Sequence, residues 1–510
     1  MINRSIIFYL LGRAFHLLAA IFALPIFYAS AVMNLPRISV LFFVLGSSVW
    51  FVGKIFSFLG RKIPRRFPIL ESSFAILIIY PLLAIFAAIP FVVTYWLSPV
   101  NALLETISDL TSTGISILPN AAPYIFRLWQ SSLMWLGSLI FLIILVTILP
   151  EVSGCFGISL SLPGGQNFSP MIGQMHDMAG RVKKVYIVLT VISFVLLKLA
   201  GLNFWDALLM AMRCISTGGG DFFPGRGNIY VEYAAMFTML IACGNFLFFH
   251  RMVYTTVPPK PKFSKIYLRR LQRYLKLLPQ NISANLKQLF TNSEVKIIGA
   301  MIFFCTGIIF FVTFRRGLLF DGNECFRYAV FHIISFMSTT GICLADIEYS
   351  HDFDKFLVFV MAIIGGCIGS VTGGFKIMRV MILFKITAAE IRKTFHPHMM
   401  TSITVNGVAV PKKIVGRILA FFFLATITIF ICAAILSFTG STFSGAVSLS
   451  AVCLTTVGIL PGICDSTTFL NLSPIGKFFC MLIMIIGRLE IFALLILLAG
   501  GKVRQQQRRW

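Results

Sequence analysis

The chain has 510 residues, of which 58% are hydrophobic and 12% charged, with a formal net charge of +25. Soluble domains carry about 25% charged residues, so a large water-soluble enzyme or binding domain is excluded. The charge does not mark a nucleic-acid binder either, because the basic residues sit in gaps between long apolar runs: Arg61, Lys62, Arg65 and Arg66, then Arg181, Lys183 and Lys184, then Lys260 to Lys276, then Arg379 to Lys393, then Lys412 and Lys413, then Arg504, Arg508 and Arg509. Cytoplasmic loops of membrane proteins carry this Lys/Arg excess.

A helix needs about 20 apolar residues to cross the hydrocarbon core. On that measure the sequence predicts membrane helices at 6–33, 38–59, 73–97, 128–150, 185–203, 230–253, 295–315, 354–384, 411–437 and 474–499. Shorter apolar stretches at 100–112, 204–216, 324–338 and 442–455 cannot span and are predicted to be re-entrant. The start resembles a signal peptide, with Arg4 ahead of an apolar run and Ala29-Ser30-Ala31 at its end. Arg13 and His16 interrupt that run, so it is read as the first membrane helix.

The predicted class is therefore an all-α polytopic membrane protein. Two N-terminal helices (1–66) precede a first repeat (67–155), a second (180–254), a basic connector (255–294), a third repeat (295–390) and a fourth (408–510). With the N-terminus cytoplasmic, each block of helix, re-entrant stretch and helix leaves and returns. Both termini and nearly all basic segments then lie inside, with Arg315 and Arg316 as outer exceptions. The connector reads equally as an amphipathic segment on anionic lipid or as a solvated basic loop.

Each re-entrant stretch ends alike. The four endings are Thr111-Ser112-Thr113-Gly114, Ile215-Ser216-Thr217-Gly218-Gly219, Ser338-Thr339-Thr340-Gly341 and Leu454-Thr455-Thr456-Val457-Gly458. A permeating cation sheds water and needs oxygen ligands, which backbone carbonyls can supply. Glycine reaches the φ values that turn a carbonyl towards a pore at little steric cost. The preceding hydroxyls add oxygens, and the C-terminal end of each short helix favours a cation. Small and hydroxylated residues also serve as packing faces of membrane helices, but four copies in the same slot point to ion chemistry.

These residues resemble the TrkH family of bacterial potassium-uptake subunits, within the Trk/Ktr/HKT superfamily. The likeness runs along essentially the whole chain. It is carried by Ser338-Thr339-Thr340-Gly341 with Ala345-Asp346, by Gly365-Gly366-Cys367-Ile368-Gly369-Ser370 and Gly373-Gly374-Phe375-Lys376 with Arg379, by Gly244-Asn245-Phe246, and by Gly487-Arg488-Leu489-Glu490-Ile491-Phe492. The two extra N-terminal helices favour TrkH over the shorter KtrB type.

The resemblance implies four pseudo-repeats around one pore. It makes Gly114, Gly218, Gly341 and Gly458 the filter glycines binding K⁺, together with Thr111, Ser112, Thr113, Ile215, Ser216, Thr217, Ser338, Thr339, Thr340, Thr455, Thr456 and Val457. Four glycines favour potassium, since serine at the first position goes with sodium in relatives. It implies a gating loop over 365–376, with Gly365, Gly366, Gly369, Ser370, Thr372, Gly373, Gly374 and Lys376, and a pore-facing Arg488. A ladder of small residues packing two helices is the rival reading of those glycines, but so many glycines beside Ser370-Val371-Thr372 disfavour a continuous helix. The resemblance further implies a homodimer in the bacterial inner membrane, a cytosolic nucleotide-binding subunit of TrkA type, and no cofactor beyond the transported ion.

The chain also departs from the family text. Trp135-Leu136-Gly137-Ser138-Leu139-Ile140 is less glycine-rich, Asp109 and Arg213 place charges in two pore helices, and Gly220-Asp221 replaces aromatic and hydroxyl residues. A sodium or non-selective pathway of the same fold, and a proton-coupled potassium symporter, remain alternatives; few acids in the spans weigh against the latter. An enzyme is not expected: there is no H-E-x-x-H, no nucleotide-binding signature, and His250, His332, His351, His396 and His398 are scattered at loop or helix-end positions. The 11 cysteines show no C-x-x-C pairing and read as small buried residues.

Overall fold

The computed structural model describes residues 4–60, 69–119, 121–147, 175–220, 222–246, 248–249, 287, 290–316, 321–344, 352–398, 402–458 and 466–489. Ala345-Asp346, Asp221, Glu490 to Phe492, His250, His351, the Arg61–Arg66 cluster and most of the 255–294 connector lie outside these residues.

Three N-terminal helices, α1 (Arg4–Ile21), α2 (Ala23–Ala31) and α3 (Pro36–Leu59), come first. The expected single helix over 6–33 runs on through Phe22, which keeps helical backbone (φ −56°, ψ −23°) and the bonds from Phe22 N–H to Leu18 O and from Ile26 N–H to Phe22 O. The Phe22 ring packs 4.4 Å from Trp129, which anchors the pair on the first repeat. Repeat one is α4 (Ile69–Val93), the short α5 (Pro99–Leu110) and α6 (Tyr124–Thr147). Repeat two is α7 (Met175–Leu199), α8 (Phe204–Ser216) and α9 (Ile229–Cys243). Repeat three is α10 (Ser293–Arg316), α11 (Gly322–Met337) and a broken partner, α12 (Asp352–Ile364) and α13 (Ile377–Phe395). A hairpin of β1 (Thr404–Val405) and β2 (Val408–Ala409) turns at Asn406-Gly407 and leads to repeat four. That repeat holds α14 (Lys412–Phe438), α15 (Phe443–Thr455), the short α16 (Ser466–Leu470) and α17 (Pro474–Arg488).

Among the described residues, five helices are long and apolar enough to cross a membrane. α3, α10 and α14 keep most of their apolar surface outward, whereas α6 is largely buried. A lipid-facing helix needs no polar outer face, which explains exposed Phe43, Phe51, Phe303 and Phe423.

The four short helices begin and end where their residues dictate. Pro99 opens α5 at a position whose N–H has no helical partner. Asp321 caps α11 by accepting the Asn323 N–H, and Thr442 caps α15 by accepting that of Gly445. Each then stops at a hydroxyl residue held in left-handed backbone, namely Ser112 (φ 55°), Thr217 (φ 54°), Thr339 (φ 54°) and Thr456 (φ 52°). Non-glycine residues avoid that conformation, so its fourfold recurrence at one point of the repeat is a built feature.

Two long helices predicted from hydropathy are interrupted. The expected helix over 354–384 breaks between Ile364 and Ile377. The expected helix over 230–253 ends at Cys243, where Gly244 takes extended backbone (φ −73°, ψ 162°). The two breaks face each other: Cys367 N–H donates to Cys243 O (3.1 Å) and Phe246 N–H to Gly369 O (3.0 Å). Each break thus supplies hydrogen-bond partners to the other, which satisfies backbone groups that lipid could not.

Candidate functional site

The C-terminal ends of α5, α8, α11 and α15 converge, and the strands that follow touch one another. A Cβ on Gly114 would lie 2.5 Å from Gly219 N. One on Gly219 would overlap Thr340 O, and one on Gly458 would overlap Thr113 O. The strands therefore neighbour in the order four, one, two, three, backbone against backbone. Only glycine permits that approach, and Gly114, Gly341 and Gly458 also carry φ of 79°, 69° and 89°.

These contacts correct the expected register in repeat two. A turn bond recurs as Thr113 N–H to Ser108 O, Gly218 N–H to Arg213 O, Thr340 N–H to Ser335 O and Val457 N–H to Val452 O. Gly218 is therefore the counterpart of Thr113, Thr340 and Val457. Gly219 matches Gly114, Gly341 and Gly458. The left-handed residues 112, 217, 339 and 456 give the same alignment. Ile215, assigned to the strand, instead belongs to the body of α8, and Gly218 packs against Met134. The Gly-Gly pair offered two registers to sequence reasoning, and the hydroxyl text matched either.

Of the other expected strand residues, Thr111, Ser112, Thr113, Ser216, Thr217, Ser338, Thr339, Thr340, Thr455, Thr456 and Val457 are all buried and adjoin this meeting point. Their hydroxyls are held by one another, by the preceding helix or by neighbouring elements. Thr111 and Thr113 share a bond of 2.8 Å, as do Ser338 and Thr340, while Ser112 bonds Ser138 (2.6 Å) and Thr455 donates to Ala451 O (2.8 Å).

The 365–376 segment lies against strands three and four. Gly373 N–H donates to Thr339 Oγ1 (2.9 Å), and Gly374 N–H to Thr455 O (3.0 Å). A Cβ on Gly373 would overlap Thr455 O, so this residue too is held to glycine by a neighbouring backbone. Gly365, Gly369, Gly374 and Lys376 have positive φ. The buried Lys376 ammonium folds back onto Thr372 O, Thr372 Oγ1 (3.1 Å) and Ser370 Oγ (3.4 Å). Ser370 and Thr372 bond each other, and Gly366 faces Thr372 and Cys243. All the residues expected in the loop are thus together.

Arg488 is 2% exposed and reaches both features. Its Nη1 donates to Val371 O of the loop (2.8 Å) and its Nη2 to Ser138 Oγ (3.0 Å), while the guanidinium stacks 4.3 Å over Phe141. Ser138 in turn donates to Ser216 O (2.8 Å) and shares a bond of 2.6 Å with Ser112 Oγ. One serine therefore links the loop's arginine to strands one and two. Its position had a repeat signal, since Gly137 and Gly487 each let a pore-helix carbonyl approach, that of Leu110 or Leu454. Ser138 is thus the first-repeat counterpart of Arg488.

Two further residues were not anticipated. Glu294, fully buried at the start of α10, accepts the loop N–H of Ile368 (3.0 Å) through Oε1. His332, expected at a loop or helix end, is buried within α11. Its Nδ1 contacts Tyr328 O (2.8 Å) and its Nε2 accepts Leu344 N–H (3.4 Å). Among the described residues no three His, Cys, Asp or Glu side chains come together as a metal site.

Comparison with known proteins came to the same architecture. The family model TrkH, described as a cation transport protein, matches residues 95–505. The chain is 27% identical over 433 residues to the Trk system potassium uptake protein TrkH of Halomonas elongata, covering 82% of this chain and 83% of that one. It is 25% identical to the Trk system potassium uptake protein TrkG of Escherichia coli, over 90% of both. The crystal structure of the potassium transporter TrkH from Vibrio parahaemolyticus superposes with a TM-score of 0.82 over 98% of this chain and 99% of that one, at 23% identity. At that identity the match speaks for the fold.

Proposed function

Because the chain belongs to the TrkH family of cation transport proteins, we propose that it takes up potassium ions through the ring formed by Gly114, Gly219, Gly341 and Gly458 and the residues before them. The observation that carries this reading is the backbone-to-backbone contact of the four strands. Four short helices aim their partly negative ends at one point, and carbonyls there replace the hydration shell of the ion. The relatives named above for potassium uptake support the choice of ion. An inside-negative potential supplies about 2.3 kcal/mol per charge per 100 mV, enough for roughly fifty-fold accumulation.

In this proposal the 365–376 loop is the gate and Arg488 its latch. The loop adjoins strands three and four, and the arginine brings a fixed positive charge to the same region, which raises the barrier to cations. A cytosolic nucleotide-binding subunit of TrkA type would act on this loop. The protein would sit as a homodimer in the inner membrane with both termini cytoplasmic. These last assignments rest on the family resemblance and on the basic inner segments.

The test is growth on limiting K⁺ of a host lacking its own potassium uptake systems. The chain is expressed alone and with a cognate cytosolic subunit, beside Gly341→Ser. Rescue that Gly341→Ser abolishes is the expected result. Failure to rescue in both settings, with inserted protein verified, would overturn the potassium reading and turn attention to sodium flux.

A further inference from the structure

The repeat alignment exposes a substitution that the other three repeats lack. Positions 108, 213, 335 and 452 are equivalent, and hold Ser, Arg, Ser and Val. In repeats one and three the serine supports the residue just after the strand glycine. Ser108 Oγ accepts Ile115 N–H (2.7 Å) and donates to Ile115 O (3.1 Å), and Ser335 Oγ donates to Ile342 O (2.7 Å). In repeat two the counterpart of those isoleucines is Gly220. Its backbone has φ 112°, and a Cβ there would stand 3.1 Å from Arg213 Nη1. A Ser–Ile pair has become an Arg–Gly pair, with the large member on the other side.

Arg213 is 2% exposed and fans out behind the strands. Nε donates to Ser131 Oγ (2.9 Å), Nη2 to Gln130 Oε1 (3.5 Å) and Nη1 to Phe222 O (3.4 Å), two residues beyond Gly220. Gln130 Nε2 donates to Glu105 Oε1 and to Ser116 Oγ (3.1 Å), and Glu105 Oε2 accepts Ile117 N–H (2.8 Å). An unbroken polar path thus joins Phe222 on strand two to Ser116 and Ile117 on strand one. Asp109, one helical turn from Glu105 on α5, is fully buried, and neither of its oxygens finds a hydrogen-bond partner among the described residues. Arg213 reaches Glu105 only through Gln130, so the path is carried by hydrogen bonds from the guanidinium to the amide and from the amide to the carboxylate.

We propose that Arg213 is a specificity-determining positioning residue: with Gln130 and Glu105 it forms a hydrogen-bonded brace that fixes the spacing of strands one and two, and through it the discrimination between K⁺ and Na⁺. The proposal rests on the reading of the four strands as the ion pathway. A bidentate or tridentate guanidinium holds geometry that a hydroxyl at this distance cannot reach. The brace stands behind the strands and touches no ion, so its effect appears in the ratio of ions passed.

The experiment uses the full-length protein in liposomes, with ⁸⁶Rb⁺ and ²²Na⁺ uptake measured side by side. Arg213→Ser, which copies repeats one and three, is expected to lower the Rb⁺/Na⁺ ratio at least tenfold. Arg213→Lys keeps the charge without the fork and falls between it and the wild type. Gln130→Leu cuts the path without altering charge and lowers the ratio in the same direction, so the test stands even where Arg213→Ser does not fold. Ratios within twofold of wild type in Gln130→Leu and Arg213→Lys, with flux intact, would overturn the brace. A wild-type protein passing neither ion would instead count against the proposed function.

Discussion

The register of the second strand makes a prediction that separates two adjacent glycines. Gly219→Ala places a methyl group onto Thr340 O, a backbone atom of the neighbouring strand. No rotamer change can relieve that overlap, so the strands themselves must part. Overpacking of this kind costs about 1–3 kcal/mol, which depopulates the undistorted ring roughly 5- to 150-fold. Gly218→Ala meets the Met134 side chain instead, with Sδ at 2.5 Å and both Cβ and Cγ at 2.9 Å. Only removal of the whole side chain, Cβ included, makes room. The expected results in liposome ⁸⁶Rb⁺ uptake are therefore a loss in both single variants, recovery of Gly218→Ala by Met134→Gly, and no recovery of Gly219→Ala by the same change. Inserted protein is compared throughout by detergent-solubilised monodisperse yield. Recovery of Gly219→Ala by Met134→Gly, or full flux in Gly219→Ala alone, would refute the register drawn from the four turn bonds.

Two further predictions concern the loop. Arg488→Ala deletes the bond to Val371 O and the charge beside the strands, so basal ⁸⁶Rb⁺ flux without a cytosolic subunit should rise several-fold; unchanged or lower flux in well-inserted protein would speak against a latch. Glu294→Ala leaves the Ile368 N–H without its carboxylate acceptor, a loss of about 1–3 kcal/mol for a buried donor that shifts the loop's equilibrium roughly 5- to 150-fold. Glu294→Gln retains an acceptor and should lie nearer wild type, and equal flux in all three proteins would remove Glu294 from gating.

Much of this architecture was legible because membrane segments announce themselves by length. All four short helices fell within a few residues of their predicted places, since failure to span fixes them, whereas the spans at 230–253 and 354–384 are interrupted and the helix expected at 185–203 begins ten residues earlier, at Met175. Hydropathy could not see the end of α9 at Gly244, because that break depends on partners distant in sequence. The loop over 365–376 was readable from its glycines, whereas Glu294 was not. It looked like a charge at a helix start and became a ligand of the loop only through an approach across 74 residues. The register of the second strand failed for a simpler reason, in that two consecutive glycines satisfy a one-glycine pattern in two ways.

The unequal repeats share a division of labour that no single repeat displays. Repeats one and three brace their own strands twice, at equivalent positions: Ser108 and Ser335 hold the first residue after the glycine, and Glu105 and His332 accept the N–H of the third, Ile117 and Leu344. Repeats two and four carry Met210 and Leu449 where the acceptor would stand, so neither can make that second bond. Repeat two turns to Arg213 and through it to α6 of repeat one. Repeat four, with Val452 in place of the serine, has its Thr455 carbonyl taken by Gly374 of the loop. A strand held by a neighbour's fixed helix is set at folding. A strand held by a glycine loop that also binds Arg488 and Glu294 shares whatever motion that loop undergoes. In the proposed gating scheme the loop's constraint falls on strands three and four and the helix-borne one between strands one and two, so that changes around Arg213 should alter which ion passes while changes around the loop alter how often.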